Sequence, residues 1–251
     1  MRGTYPSANF TAENLGGAGV AGYSRGNAGN SWGVFGHSDN GFGVYGDSFN
    51  GTGGYFYSKN GIGLRSVSSG HDGIQGISNT AGRSGVYGEN NNPDGFAGFF
   101  AGKAWTKVLE IAGGSDLAER FSEADGSVAE PGTVMVIDPD NPGQIKLSAG
   151  AYDRKVAGIV SGAGDIRPGL TLHQEGVAEG DTVMAIAGRV YVKAEALSGP
   201  IEPGDLLTTS DMPGYAMKAM DDTRSHGAVI GKAMTGLKDG KGLVLVLVNL
   251  Q

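Results

Sequence analysis

The sequence contains no cysteine, so it offers no disulfide framework, thiol nucleophile or thiolate metal site. Histidine is scarce as well: His37, His71, His173 and His226 have no metal-ligand spacing, and the sequence gives grounds for neither a metal nor a cofactor. The longest purely aliphatic run, Leu243 to Val248, is six residues against the ~20 that a membrane-spanning helix needs, so membrane insertion is not expected. The opening Met1-Arg2-Gly3-Thr4-Tyr5-Pro6 has no apolar stretch of signal-peptide length and gives no support for general secretory export; release by lysis or by a dedicated machine stays open. Only 18% of the residues are charged, and 19 basic against 26 acidic side chains, net −7, argue against nucleic-acid binding.

What the chain has instead is glycine, 47 in 251 residues, against an ordinary share of about 7%. The glycines do not fall on every third position and prolines number nine, which excludes collagen, while a 39% hydrophobic content is enough to build a core. Composition splits the chain near residue 104. Residues 1–104 hold 26 glycines with six basic and six acidic side chains; residues 105–251 hold 21 glycines with 13 basic and 20 acidic, and so carry the whole net charge.

The first region repeats. The motif Gly-apolar-x-Gly-x-Ser recurs, with decay, from Gly19, Gly33, Gly43, Gly53, Gly63, Gly73 and Gly85, at spacings of 14, 10, 10, 10, 10 and 12. Asn40-Gly41, Asn50-Gly51, Asn60-Gly61 and Asp72-Gly73 supply turn residues between units, so each unit reads as a turn followed by a short strand. Ten residues at a rise of ~3.3 Å give a contour of roughly 33 Å, and a closed triangle of that perimeter has an inner radius of about 3 Å. Valine and tyrosine side chains do not fit inside it. Three chains wound about one axis can share each rung, and the expectation is a homotrimeric β-helical shaft over residues 16–104. Its core would be Val20, Val34, Val44, Leu64, Ile74 and Val86, with residues 1–15 as an N-terminal arm or docking segment. A Gly/Asn/Ser-rich flexible linker is the alternative, but a linker has no reason to keep apolar residues in phase over seven units. Tyr23, Phe35, Tyr45, Tyr55, Tyr57 and Tyr87 recur beside the motif, either as packing residues over glycine-rich backbone or as an aromatic ladder able to stack on sugars.

From Trp105 onward longer β signals alternate with Pro-Gly and Asp-Gly turns. Strands are expected at 107–112, 133–137, 144–147, 156–161, 182–187, 189–193, 206–208, 216–219, 228–233 and 242–249, with turns at Pro131-Gly132, Pro142-Gly143, Pro168-Gly169, Pro203-Gly204 and Pro213-Gly214. The fold class is therefore all-β, with a barrel- or sandwich-like domain over 105–251. Leu243 to Val248 lacks polar alternation and is expected to be buried on both faces.

The segments Gly113-Gly114-Ser115-Asp116-Leu117-Ala118-Glu119-Arg120-Phe121, Pro131-Gly132-Thr133-Val134-Met135, Val156-Ala157-Gly158-Ile159-Val160-Ser161, Gly188-Arg189-Val190-Tyr191-Val192 and Pro203-Gly204-Asp205-Leu206-Leu207-Thr208, in that order, resemble the C-terminal domain of phage neck-appendage and tail-fibre proteins. That family carries a G2-type autoproteolytic intramolecular chaperone behind a trimeric β-helical shaft. The resemblance, over about residues 113–251, implies that this domain registers three chains and then cuts near Ser115, with Ser115, Asp116 and Glu119 as catalytic residues. A carboxylate held near a strained peptide can act as acid or base if burial raises its pKa. The same residues also read as a helix N-cap with acidic residues in the first turn.

Other groupings lead less far. Ser161, Asp165 and His173 have the residue types of a hydrolase triad without a nucleophile elbow. Asp138-Pro139-Asp140-Asn141 and Asp221-Asp222 read as acidic turns with too few ligands for a calcium loop. Tyr152-Asp153-Arg154-Lys155 reads as a solvated turn, or as an electrostatic contact between protomers. Together these features point to a structural subunit of a homotrimeric fibre or appendage, extracellular or on a virion, used for attachment to a cell-surface glycan or receptor. Self-cleavage near Ser115 and an extracellular filament with end-to-end contacts are the two alternatives.

Overall fold

The computed structural model describes residues 34–177 and 179–249, and the chain divides into two units between Phe100 and Ala101. The proposed arm at 1–15, Val20 and Tyr23 lie outside the described residues. Residues 34–100 contain no hydrogen-bonded strand; the expected turns are present, but no ladder forms within the chain. A serine side chain makes each turn. Ser38 Oγ accepts from Gly41 N–H at 2.9 Å, Ser48 Oγ from Gly51 at 2.9 Å, Ser58 Oγ from Gly61 at 3.0 Å and Ser68 Oγ from His71 at 3.0 Å. In the longer unit from Gly85, Asn90 Oδ1 accepts from Asn92 N–H and Asn92 Oδ1 from Asp94 N–H, so asparagines take over from serine.

The second unit is all-β: β1 (Asp116–Phe121), β2 (Val134–Ile137), β3 (Ile145–Leu147), β4 (Val156–Val160), β5 (Pro168–Leu172), β6 (Thr182–Glu195), β7 (Leu206–Thr209), β8 (Ala216–Lys218), β9 (Val229–Ala233) and β10 (Lys241–Asn249). Helix is confined to single turns at Ala163–Asp165 and Asp222–Ser225. Strands β10, β9, β7, β8 and β6 follow one another as neighbours, and β10 pairs with β6 from Lys241↔Glu195 to Asn249↔Ala187, which closes a barrel. The sheet continues from β6 through β4 and β2 to β3, while β1 pairs antiparallel with the first half of β6 and parallel with β5.

Alternation explains the barrel core. Val190, Val192 and Ala194 of β6 and Val244, Val246 and Val248 of β10 are buried and meet Leu207 of β7 and Ile230 of β9. A second cluster, Met135, Ile145, Val160 and Met184, fills the space under β2, β3 and β4. The β10 run is not buried on both faces as its composition suggested. Its valines point in, whereas Leu243 and Leu247 are 45% and 46% exposed, because a barrel strand has one inner and one outer side.

Three further expectations change. No strand forms at 107–112, where Trp105, Val108 and Leu109 are exposed. The expected strands 182–187 and 189–193 are one strand, β6. Gly188 sits inside it at φ 104°, where a β-carbon would come within 2.8 Å of Asp116 Cα, so glycine lets the strand pass β1 without a break. Pro168-Gly169 opens β5 instead of making a turn; proline is tolerated there as the first residue of a strand that pairs only with β1.

Ile230, fully buried between β7 and β10, gauges this core. Ile230→Ala is expected to cost about 2–5 kcal/mol in urea unfolding followed by circular dichroism, and a loss below about 0.5 kcal/mol would contradict the packing described.

Candidate functional site

Two places hold the residues that the sequence singled out. In the first unit, Val34, Val44, Leu64, Ile74 and Val86 are all exposed in the single chain, at 57–75%. Phe35, Tyr45, Tyr55, Tyr57 and Tyr87 are exposed to a similar degree, and no residue from 34 to 100 is buried. Where aromatic rings meet they do so singly: Phe42 and Tyr45 lie 5.8 Å apart, so the described rings form no continuous ladder within the chain. The units nonetheless interlock. A β-carbon built on Gly36 would sit 2.6 Å from Val44 Cγ2 of the following unit, and one on Gly76 would sit 2.7 Å from Val86 Cγ2. The fourth position of the motif is glycine because the next unit's leading carbonyl lies over it, 2.3 Å from an added β-carbon at Gly36 and Gly76, 2.4 Å at Gly46 and 2.5 Å at Gly88.

The repeat also runs one unit further than its motif shows. Gly88 stands against the carbonyl of Ala97, where an added β-carbon would be only 2.5 Å away, so Ala97-Gly98-Phe99-Phe100 begins another unit. Alanine in place of the leading glycine, with no serine at the sixth position, hid it from a motif search.

The second place is the start of β1. The helix-cap reading of Ser115–Glu119 fails, because Asp116–Phe121 is a strand hydrogen-bonded to β5 on one side and β6 on the other. Tertiary pairing overrides the local capping signal. The Ser115 backbone is held at both ends: its N–H donates to Arg167 C=O at 3.0 Å, and its carbonyl accepts from Arg189 N–H at 3.1 Å. Asp116 is 5% exposed, and neither carboxyl oxygen has a hydrogen-bond partner. Burial pushes this carboxyl above its ordinary range. Ser161, also buried, is near enough to oppose that shift but forms no hydrogen bond of ordinary geometry with it. Glu119 is half-buried in a different setting, a hollow of about 230 Å³ lined by Arg120, Leu172, His173 and Gln174. The sequence-predicted trio is therefore an adjacent pair, Ser115 and Asp116, with Glu119 three positions along the strand. Ser161, which the sequence placed with His173, belongs with Asp116.

The remaining groupings have structural roles. Asp165 and His173 are exposed while Ser161 is buried, so no triad geometry is suggested. Asp138 accepts from Lys146 Nζ at 2.7 Å and from Asn141 Nδ2 at 2.8 Å, and these bonds, Lys146 first, lower its carboxyl to about 2. Asp221 caps the turn Asp222–Ser225 by accepting from Thr223 and Arg224 N–H. The Tyr152-Asp153-Arg154-Lys155 segment packs within its own chain: Tyr152 Oη accepts from Met220 and Asp221 N–H, and Arg224 lies 4.3 Å from the Tyr152 ring centre. Among the described residues no cluster of His, Asp and Glu is placed to hold a metal ion, and no helix is long and apolar enough to cross a membrane.

No protein-family model matches this chain, and no curated protein does. Among the solved structures similar to it are two of bacteriophage phi29 gene product 12. The pre-mature form aligns at 14% identity and a TM-score of 0.42 over 59% of this chain and 24% of its own length. The C-terminal fragment aligns at 15% identity and a TM-score of 0.38 over 53% of this chain and 100% of its own length. The chain thus spans about a quarter of the length of the pre-mature protein. At that level of similarity, what this chain does has to be argued from its own geometry.

Asp116 and Asp138 have opposite pH signatures. Asp116, raised above its ordinary 3.8 by burial, contributes stability that is fully present below about pH 3.8 and lost as pH rises through its folded value. Asp138, held at about 2, contributes stability present above pH 3.8 and lost as pH falls toward 2. Asp116→Asn is therefore expected to flatten the decline of unfolding free energy as pH rises above about 3.8, measured at one protein concentration. Parallel profiles for the two proteins would show that Asp116 does not titrate there.

Proposed function

We propose that this protein is the structural subunit of a homotrimeric fibre or appendage of phage tail-fibre type, used for attachment, in which the terminal β unit brings three chains into register. The observation that carries this reading is the exposure of the repeat throughout residues 34–100. Val34, Val44, Leu64, Ile74 and Val86 recur at a fixed motif position, with ordered turns between them, and none is covered by its own chain. A regular array of uncovered apolar side chains calls for an apolar partner of matching period, and a copy of the same chain has that period by construction. Three copies rather than two follow from the narrow coil, since three strands per rung enclose one side chain apiece at the axis. Backbone groups along residues 36–100 that make no bond within the chain would then be satisfied between chains.

The exposed rings of Tyr45, Tyr55, Tyr57 and Tyr87 supply a surface suited to stacking on sugars, and a cell-surface glycan or receptor is the proposed attachment target. A virion or extracellular location goes with that role.

A second reading, self-cleavage beside Ser115, is favoured by one feature. The buried, unpaired Asp116 carboxyl favours its protonated form and lies next to a peptide whose carbonyl is already held by Arg189 N–H. Intact-mass spectrometry of freshly made protein separates this reading from plain structural use. Fragments ending near residue 115 that vanish in Asp116→Asn support cleavage, and full-length mass in both proteins excludes it.

The trimer itself is tested by Val44→Asp, which would place three like charges at one level of the axis. Trimer yield in sedimentation velocity is expected to fall at least about tenfold, whereas Asn50→Asp in an exposed turn should leave it unchanged. Undiminished trimer in Val44→Asp would overturn the proposed shaft core.

A further inference from the structure

The repeat has two irregular units, and they share one irregularity. Where the second motif position carries Val, Leu or Ile, the fourth is small: Val34 goes with Gly36, Val44 with Gly46, Leu64 with Ser66, Ile74 with Gly76 and Val86 with Gly88. Where the second position is glycine, the fourth is phenylalanine: Gly54 goes with Phe56, and Gly98 with Phe100. Geometry shows why the two changes come together. A β-carbon on Gly54 would lie 3.2 Å from Phe56 Cε2, and one on Gly98 would lie 3.2 Å from Phe100 Cε2. The ring takes the space that the aliphatic side chain fills elsewhere, so a branched residue and the ring exclude each other within one unit. The backbone responds as well. A β-carbon on the leading glycine lies 3.0 Å from the preceding fourth-position carbonyl at Gly43 and 3.1 Å at Gly53, but 3.4 Å at Gly63, behind Phe56, and 3.7 Å at Gly73, behind Ser66. Ser66 adds a bond of its own, its hydroxyl donating to the Gly73 carbonyl.

From this we infer that Gly54–Phe56 and Gly98–Phe100 are register keys, which fix the axial alignment of three copies of this chain against slippage by whole repeat units. The inference rests on the assembly proposed above. The shaft is degenerate where its period holds: from Gly33 to Gly73 the units keep a strict ten-residue period, so a shift of ten residues still lays leading glycine on leading glycine there, Val34 on Val44 and Leu64 on Ile74. Phe56 and Phe100 break the degeneracy. With the copies level, three rings meet at a rung whose spacing already accommodates them. With the copies shifted by one ten-residue unit, the Phe56 ring meets either the tighter Gly46–Gly53 step or the unit that carries the branched side chain of Leu64. The two keys stand four units apart, so a shift large enough to superpose one on the other leaves its partner mismatched. Charge does not supply the alignment instead, since residues 1–104 carry six basic and six acidic side chains.

The absence of native cysteine makes the test direct. Asn50→Cys chains co-expressed with Asn60→Cys chains, each with its own tag, are treated with a short bis-maleimide, and same-position links are compared with offset links by mass spectrometry. The keys are then converted to ordinary units with Gly54→Val, Phe56→Gly, Gly98→Val and Phe100→Gly. The offset share is expected to rise at least about fivefold while sedimentation still reports three chains. A further variant moves the first key one unit down, to the roomier step behind Ser66, keeping Gly98 and Phe100 and combining Leu64→Gly and Ser66→Phe with Gly54→Val and Phe56→Gly. It should restore the original ratio, which a merely misfolded shaft would not do. An unchanged ratio in the converted trimer, or failure of the moved key to restore it, would overturn the register role. Single-chain mass in the unmodified protein would instead overturn the assembly on which that role depends.

Discussion

A backbone that turns every ten residues has no inside. That steric fact governs residues 34–100, because a rung of this contour leaves a few ångströms about its own axis and the valines and isoleucines of the motif have nowhere in their own chain to go. The structure shows the consequence directly. Turns are ordered by Ser38, Ser48, Ser58 and Ser68, fourth-position glycines admit the next unit's leading carbonyl, and yet every apolar residue from Val34 to Phe100 remains open to solvent. Local order without burial leaves conformational entropy in so glycine-rich a chain opposed by little within one copy, and in the proposed assembly the missing stabilisation comes from association.

The terminal unit meets the opposite condition. Its barrel buries Val190, Val192, Val244, Val246 and Val248 within one chain, so it has a core before any partner arrives. A domain that is self-sufficient, joined to a repeat that is not, suits a division of labour in which the first gathers copies and the second assembles along them. The outward row of β10, with Leu243 and Leu247 half exposed, keeps apolar surface available on the barrel wall.

Much of this was legible in the residues. The ten-residue period, the turn chemistry and the all-β character follow from spacing and from Pro-Gly and Asn-Gly pairs, because these are local properties. Long-range pairing was not legible. Asp116–Phe121 carries a capping pattern and is a strand because β5 and β6 bind it from both sides; Pro168-Gly169 looks like a turn and opens β5 for the same reason. Burial of Asp116 beside Ser161 also depends on contacts 45 residues apart in sequence, which no local pattern reports. The Gly54–Phe56 and Gly98–Phe100 exchange was present in the sequence, but it has meaning only once the ring is seen over the glycine.

The claim on which the account depends is that the repeat is incomplete in one copy. Sedimentation equilibrium of the unmodified chain at several loading concentrations measures this most directly. The account predicts a mass of three chains, each of 25.6 kDa, holding into the low micromolar range. A single-chain mass, accompanied by protection of the Val34–Val86 backbone amides from hydrogen exchange, would contradict it.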